Sequence, residues 1–264
     1  METLVQSAPP TANHRPLDDA FVEVTGLEKR FGTLRVLRGV DVRVPRGSVT
    51  AVVGPNGSGK TTLIKCLLGL VRPDAGRLAL DGQVLAGDER YRARIGYMPQ
   101  GARFPENLSG REVIAMLKDL RGHPEAVDEE LIDAFDLDPE LDKPIRTLSG
   151  GTRQKVNAVA AFLFRPDLVI LDEPTAGLDP VASGTLKDKI RREQARGVTF
   201  VLTSHVMSEL DELAGRVAFL LGGTVRFEGS IAALKARANE ANLERAIARM
   251  MTASEKTDSA RLSS

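Results

Sequence analysis

Residues Ser48-Val-Thr-Ala-Val-Val-Gly-Pro-Asn-Gly-Ser-Gly-Lys-Thr-Thr62 decide the fold class. The near-continuous β-branched run Ser48–Val53 predicts a strand covered on both faces, which is how strands of a buried parallel sheet read. It runs into a glycine-rich turn and then into a helix predicted over Thr61–Leu70. Gly54 to Thr61 satisfies G-x-x-x-x-G-K-[ST] in full, in the strand–turn–helix context that gives the pattern its meaning. The glycines let backbone N–H groups turn inward without a Cβ clash. Those donors and the positive end of the following helix make a cradle for an anion. Gly54, Pro55, Asn56, Gly57, Ser58, Gly59, Lys60, Thr61 and Thr62 are therefore candidate contacts for the phosphates of a nucleotide. Lys60 is placed to reach the β- and γ-phosphates and the Thr61 hydroxyl to hold Mg²⁺.

Outward from this stretch, the pattern on the N-terminal side is antiparallel. Phe21-Val-Glu-Val24 and Val40-Asp-Val-Arg-Val44 alternate apolar and polar residues, with Gly26, Gly32, Gly39 and Gly47 as punctuation. A further hairpin is predicted at Gly76-Arg-Leu-Ala-Leu-Asp-Gly82. On the C-terminal side, Asp167-Leu-Val-Ile-Leu-Asp172, Val198-Thr-Phe-Val-Leu-Thr-Ser204 and Val217–Leu221 read as buried strands. Strands alternating with helices imply a parallel sheet. Between them, residues 101–165 read as a mostly helical insert. Val113, Ile114, Leu117 and Leu120 share one face of a helix over Arg111–Leu120, and Leu131, Ile132 and Phe135 repeat the pattern.

Composition limits the alternatives. The chain has 264 residues, 42% hydrophobic, with Lys+Arg and Asp+Glu at 36 each. A net charge of zero argues against a nucleic-acid binder held by charge alone. One cysteine, Cys66, excludes an intrachain disulfide and a multi-cysteine metal site. Residues 1–20 carry no apolar targeting segment and read as a disordered tail containing Pro9, Pro10 and Pro16. No apolar run approaches the ~20 residues of a membrane helix, so a soluble, cytoplasmic chain is expected. Residues 236–264 read as a short amphipathic helix, with Leu243, Ile247 and Met250 at helical spacing, followed by a polar tail from Thr252.

Other residues carry chemistry in this context. Asp172 and Glu173 end a buried strand, where ligands bind in open α/β sheets. Asp172 fits a second Mg²⁺ contact, through water, and Glu173 is placed to polarise a water for in-line attack on a γ-phosphate. Leu148-Ser-Gly-Gly151 precedes a helix predicted over Thr152–Phe164. Ser149 suits an N-cap, and these four residues read equally as a capped helix start or as a second anion-binding N-terminus. His205, Gln100 and Phe31 taken singly are a structural histidine, a loop amide and a core aromatic.

In their order, Gly54–Thr61, Gln100, Leu148–Gly151, Leu168–Glu173, Gly177-Leu-Asp179 and His205 resemble the ATP-binding subunits of ABC transporters: P-loop, glutamine loop, signature, Walker B strand, D-loop and histidine switch. The resemblance covers residues 21–235. It implies a RecA-like parallel-sheet core of P-loop NTPase type, an antiparallel β subdomain and an inserted helical subdomain. It implies ATP hydrolysis with Mg²⁺, with Glu173, His205 and Gln100 at the reaction, Gln100 also at the metal, and Asp179 near the nucleotide. Phe31 matches the family's adenine-stacking aromatic, a contact worth roughly 1–3 kcal/mol. Ser149, Gly150 and Gly151 of one copy would cover the ATP held by another, so a homodimer around two ATP molecules is implied, acting on separate membrane permease subunits. Thr152 departs from the family, which has glutamine or a long apolar residue there.

A finer resemblance joins Tyr97-Met-Pro-Gln-Gly-Ala-Arg-Phe-Pro-Glu-Asn-Leu-Ser-Gly-Arg-Glu112 and Leu243–Met250 to the ATPase of the nitrous-oxide reductase maturation (copper-site assembly) transporter. It would add a periplasmic accessory protein through the permease, with no copper on this chain. The alternatives are an exporter ATPase for drugs or another cargo, and a soluble ABC protein acting on ribosomes or DNA. The two cassettes per chain or long coiled coils of such soluble relatives are not in this sequence.

Overall fold

The computed structural model describes residues 19–85, 87, 89–123 and 126–262, and side chains as far as Thr252. Among the described residues ten strands form two sheets. In the first, β1 (Ala20–Phe31), β2 (Leu34–Pro45), β4 (Ala75–Leu80) and β5 (Gln83–Val84) lie antiparallel in the order β2-β1-β4-β5. The second takes the order β10-β9-β3-β8-β7-β6, from β3 (Val49–Val53), β6 (Ile95–Met98), β7 (Leu168–Asp172), β8 (Thr199–Thr203), β9 (Arg216–Leu221) and β10 (Thr224–Ser230). Its members are parallel except β10, which is antiparallel to β9.

The expected α/β class with an antiparallel subdomain is observed, with longer N-terminal strands than the alternation indicated. Gly26 and Gly39 lie inside β1 and β2 rather than between strands. Gly26 has φ +57°, and the β1–β2 register shifts between Val24 and Leu27. A bulge absorbs the glycine without ending the strand. Ala20 already belongs to β1 and Arg46 N donates to Asp19 O, so pairing begins inside the expected tail. Residues 1–18 lie outside the described residues.

The β-branched runs are buried on both faces, as their composition predicts. In β3, Val49, Ala51 and Val53 face one apolar cluster and Val52 faces the other. In β7, Val169 and Leu171 face the first, Leu168 and Ile170 the second. Each Val, Leu or Ile among these side chains contributes roughly 1.5–3 kcal/mol. Helix α1 (Lys60–Leu67) packs with the antiparallel sheet on the second face, and Cys66 is buried there. The other face is covered by the insert and the C-terminal helices. The insert comprises α2 (Gly110–Leu120), α3 (Glu130–Ala134), α4 (Asp138–Leu141) and α5 (Gly150–Phe162). Leu120, expected on the apolar face of α2, is instead exposed, because α2 ends there and Arg121 turns away as its C-cap.

Beyond β7 follow α6 (Pro180–Ala195) and α7 (Met207–Leu213), and beyond β10 come α8 (Ile231–Ala238) and α9 (Leu243–Leu262). The single short C-terminal helix is thus replaced by two. Asn239 caps α8 in the left-handed region (φ 50°) and breaks the chain, and Asn242 restarts it by accepting from the N–H groups of Glu244 and Arg245. Leu243, Ala246 and Ile247 are buried, and α9 continues through the expected polar tail.

Candidate functional site

Sheet order brings the site together. The carboxyl ends of β3, β8 and β7 are neighbours, so the Gly54–Lys60 loop, His205 and the pair Asp172–Glu173 emerge side by side, although the loop lies more than 110 residues from that pair in sequence. A crevice at the carboxyl ends of parallel strands is where such sheets bind ligands.

The loop is shaped by close approach. A Cβ on Gly54 would meet Leu220 O of β9 at 2.1 Å and Ser58 Oγ at 2.7 Å, and Gly59 has φ +108°, where a side chain would be strained. Lys60 folds over the loop, its Nζ donating to Gly54 O at 2.6 Å and Pro55 O at 3.0 Å. Burial pushes the Lys60 ammonium below the ordinary lysine range, opposed by the nearby Glu173 and Asp172 carboxylates. Ser58 is 2% exposed and its Oγ has no hydrogen-bond partner. A buried polar atom without a partner is costly, and in this loop a phosphate oxygen would satisfy it. Thr61 is exposed on the first turn of α1.

Asp172 closes β7 opposite Thr203 of β8, whose Oγ1 donates to Asp172 Oδ1. Thr61 and Asp172 offer only oxygen donors, which suits a hard cation such as Mg²⁺. Glu173, 8% exposed, has φ 54°, a left-handed conformation costing about 1–2 kcal/mol for a side chain with a Cβ. The surroundings hold it there. Its N–H donates to Thr203 O at 3.1 Å, Gln154 Nε2 donates to its carbonyl at 3.3 Å, and Oε2 accepts from His205 N at 3.1 Å. His205 Nε2 lies 3.5 Å from Glu173 Oε1, and the imidazole is 58% exposed. His205 thus touches the candidate base directly.

Ser149 caps α5 as its residue type predicts, accepting from Thr152 N at 3.0 Å. Thr152 Oγ1 also lies 2.8 Å from Ser149 Oγ, so the departing residue engages the signature hydroxyl. Ser149 and Gly150 are exposed, while a Cβ on Gly151 would meet Gly177 O at 2.9 Å. The signature therefore packs on the D-loop. Asp179, expected near nucleotide, caps α6 by accepting from Ala182 N at 2.9 Å, and its Oδ2 lies 3.8 Å from Lys155 Nζ on α5. The bond from Ala182 holds its carboxyl below the usual range. Gln100 is exposed just after β6. Phe31 is half-exposed at the end of β1 with Lys29 Nζ 5.4 Å from its ring centre, an open platform rather than a core residue.

Thr203, Gln154 and Asn157 escaped the reading of the sequence. The one available signal was a pair of amides on the apolar face of a helix.

A sequence profile described as ABC transporter matches residues 37–176, more than half of the chain. The chain belongs to the ABC transporter family. As an ABC ATP-binding subunit it falls among ATPases coupled to transport, and its fold agrees. A solved structure described as the ATP-binding subunit of an ABC transporter superposes with a TM-score of 0.82 at 30% identity, covering 88% of this chain and 99% of the other. A daunorubicin resistance ATP-binding protein of Streptomyces coeruleorubidus is 39% identical over 223 residues, 83% of this chain and 71% of the relative. A Nod factor export ATP-binding protein I of Ralstonia nicotianae is 35% identical over 208 residues, 77% of this chain and 65% of the relative. Among the described residues no helix is long and apolar enough to cross a membrane.

Proposed function

We propose that this ABC ATPase works as a homodimer closed around two ATP molecules and drives a separate membrane permease from the cytoplasmic side. One observation carries the reading. Lys60, Asp172, Glu173 and His205 converge at the carboxyl ends of the central parallel strands, while the exposed Ser149–Gly150 start of α5, a helix N-terminus of the kind that suits a phosphate, lies outside the Gly54–Thr61 loop. Two copies related by a two-fold axis would supply each site with both halves.

Within a site, the loop amides, Ser58 and Lys60 bind and orient the phosphates, and Thr61, Gln100 and, through water, Asp172 would hold Mg²⁺. When bound, that ion neutralises charge on the phosphate oxygens. Glu173 takes a proton from the attacking water, and His205, bonded to Glu173 through its N–H, sets the position of that carboxylate. Phe31 stacks on adenine, and Gln100 senses the γ-phosphate side from its loop.

For cargo, the segment Tyr97–Glu112 and the start of α9 support a role in copper or sulfur supply for nitrous-oxide reductase maturation, with a periplasmic protein acting through the permease. The drug-resistance and Nod factor export relatives support a second reading, export of another cargo.

Glu173→Gln tests the sandwich. It should abolish turnover and trap an ATP-dependent dimer on gel filtration, and a monomer at saturating MgATP refutes the shared site. Identification of the permease that co-purifies from native membranes decides between the two cargo readings.

A further inference from the structure

Helix α5 carries two amides on its buried face, Gln154 and Asn157, 7% and 2% exposed. Their hydrogen bonds run in one chain. Asn157 Nδ2 donates to Pro99 O at 2.9 Å and to Gln154 Oε1 at 3.2 Å. Gln154 Nε2 donates to Glu173 O at 3.3 Å and to Pro174 O at 3.2 Å. Both NH₂ groups thus use both hydrogens, on four oxygen acceptors. Flipping either amide would turn an oxygen against carbonyl oxygens, so the pattern fixes both orientations.

What this chain joins gives it meaning. Pro99 immediately precedes Gln100, and Glu173 and Pro174 form the left-handed turn that presents the candidate base. We propose that Asn157 and Gln154 are positioning residues that lock the backbone of the Gln100 segment to the backbone of the Glu173 turn, through the helix whose first turn bears the signature. A shift of Pro99 pulls on Asn157 and, through Gln154, on the carbonyl of a residue already held in a strained conformation. Three loops of the site therefore move as one body. Neither amide touches a reacting atom. The relay rests on the ATPase reading, and a wild-type chain without turnover would count against that reading rather than against the relay.

Two measurements on the full-length chain test it. In steady-state ATPase assays, Asn157→Ala should lower kcat about tenfold and leave KM for ATP within about twofold, the mark of a lost transition-state arrangement. Gln100→Ala should have a smaller effect in the Asn157→Ala background than alone, because the connection is already cut. Asn157→Leu keeps the volume without the donors and should behave like Asn157→Ala, whereas a purely packing role predicts wild-type kcat for it. Hydrogen exchange without nucleotide needs no turnover. There, Asn157→Leu should reduce protection together at the end of β6, which is paired with β7 and leads into Pro99, and at Ala176, whose N–H is bonded to Glu173 O at 3.2 Å. Independent, multiplying effects of the Gln100 and Asn157 substitutions would overturn the relay, and so would exchange changes confined to α5.

Discussion

Replacing Lys189 with methionine should cost this protein about 3 kcal/mol of stability. Lys189 lies on α6, is completely buried, and its ammonium meets three carboxylates: Asp128 at 2.6 Å, Glu130 at 2.7 Å and Glu193 at 2.8 Å. Asp128 and Glu130 belong to the inserted helical region and Glu193 to α6 beside the parallel sheet, so one cation ties the two together. Removing one partner of a buried ionic cluster typically costs 3–5 kcal/mol, because the opposite charges stay behind without compensation. The low end applies here. Glu130 keeps Arg192, Glu193 keeps Arg196 at 2.8 Å, and Asp128 Oδ1 still accepts from Glu130 N at 3.1 Å. Methionine fills the space of the lysine stem, so a cavity contributes little.

The assay is urea unfolding followed by circular dichroism, since the chain has no tryptophan. pH gives the result a sign. Lys189 binds its proton more tightly folded than unfolded, through bonds to Asp128, Glu130 and Glu193 that outweigh the opposing effect of burial. Its contribution is therefore complete below about pH 10 and fades above. The Glu130 carboxyl is held low by its bond to Lys189, so its share is complete above about pH 4.3 and lost as pH falls. The gap between wild type and variant should therefore be widest in the neutral range and narrow below about pH 4.3, as Glu130 takes up its proton. Arg192→Ala, a half-exposed control, should cost under about 1 kcal/mol. A loss below about 1 kcal/mol for Lys189→Met, or a gap independent of pH, refutes the reasoning.

Two further outcomes follow from the site and the core. Lys60→Ala should weaken ATP binding about 10- to 100-fold by equilibrium dialysis, since a charged hydrogen bond to phosphate contributes about 1.5–3 kcal/mol, and a change below threefold would remove Lys60 from the phosphates. Burial pushes the Cys66 thiol up to about 11 from an ordinary value of 9.0, so native protein at pH 8 should react with a thiol reagent far more slowly than urea-unfolded protein. The stabilisation from keeping that thiol protonated is complete below pH 9 and lost as pH rises toward 11; equal labelling rates for native and unfolded chain would refute the burial.

Legibility in the sequence followed range. The Gly54–Thr61 loop could be read because its shape is made by consecutive backbone groups and one helix start, all within eight residues. The N-cap role of Ser149 was legible for the same reason. Phe31 could be read only through the family, because an aromatic at a strand end is core or platform according to what packs over it. The two-helix C-terminus was hidden because a helix read from residue 236 onward runs straight through Asn239, whose left-handed turn depends on backbone geometry.

By itself the sequence determined the fold class and singled out the Gly54–Thr61 loop and the strand-end pair Asp172–Glu173, because turn chemistry, β-branched runs and a helix start are local properties, whereas His205 was legible only through the family. Only tertiary structure decided that Lys189 gathers three carboxylates up to 61 residues away and that Thr203 bonds Asp172. It also decided that Gln154 and Asn157 join Pro99 to the Glu173 turn. The residue types permit those bonds anywhere. Burial, which leaves a donor or a charge no water to turn to, selects the partner that strand order and helix packing bring within reach.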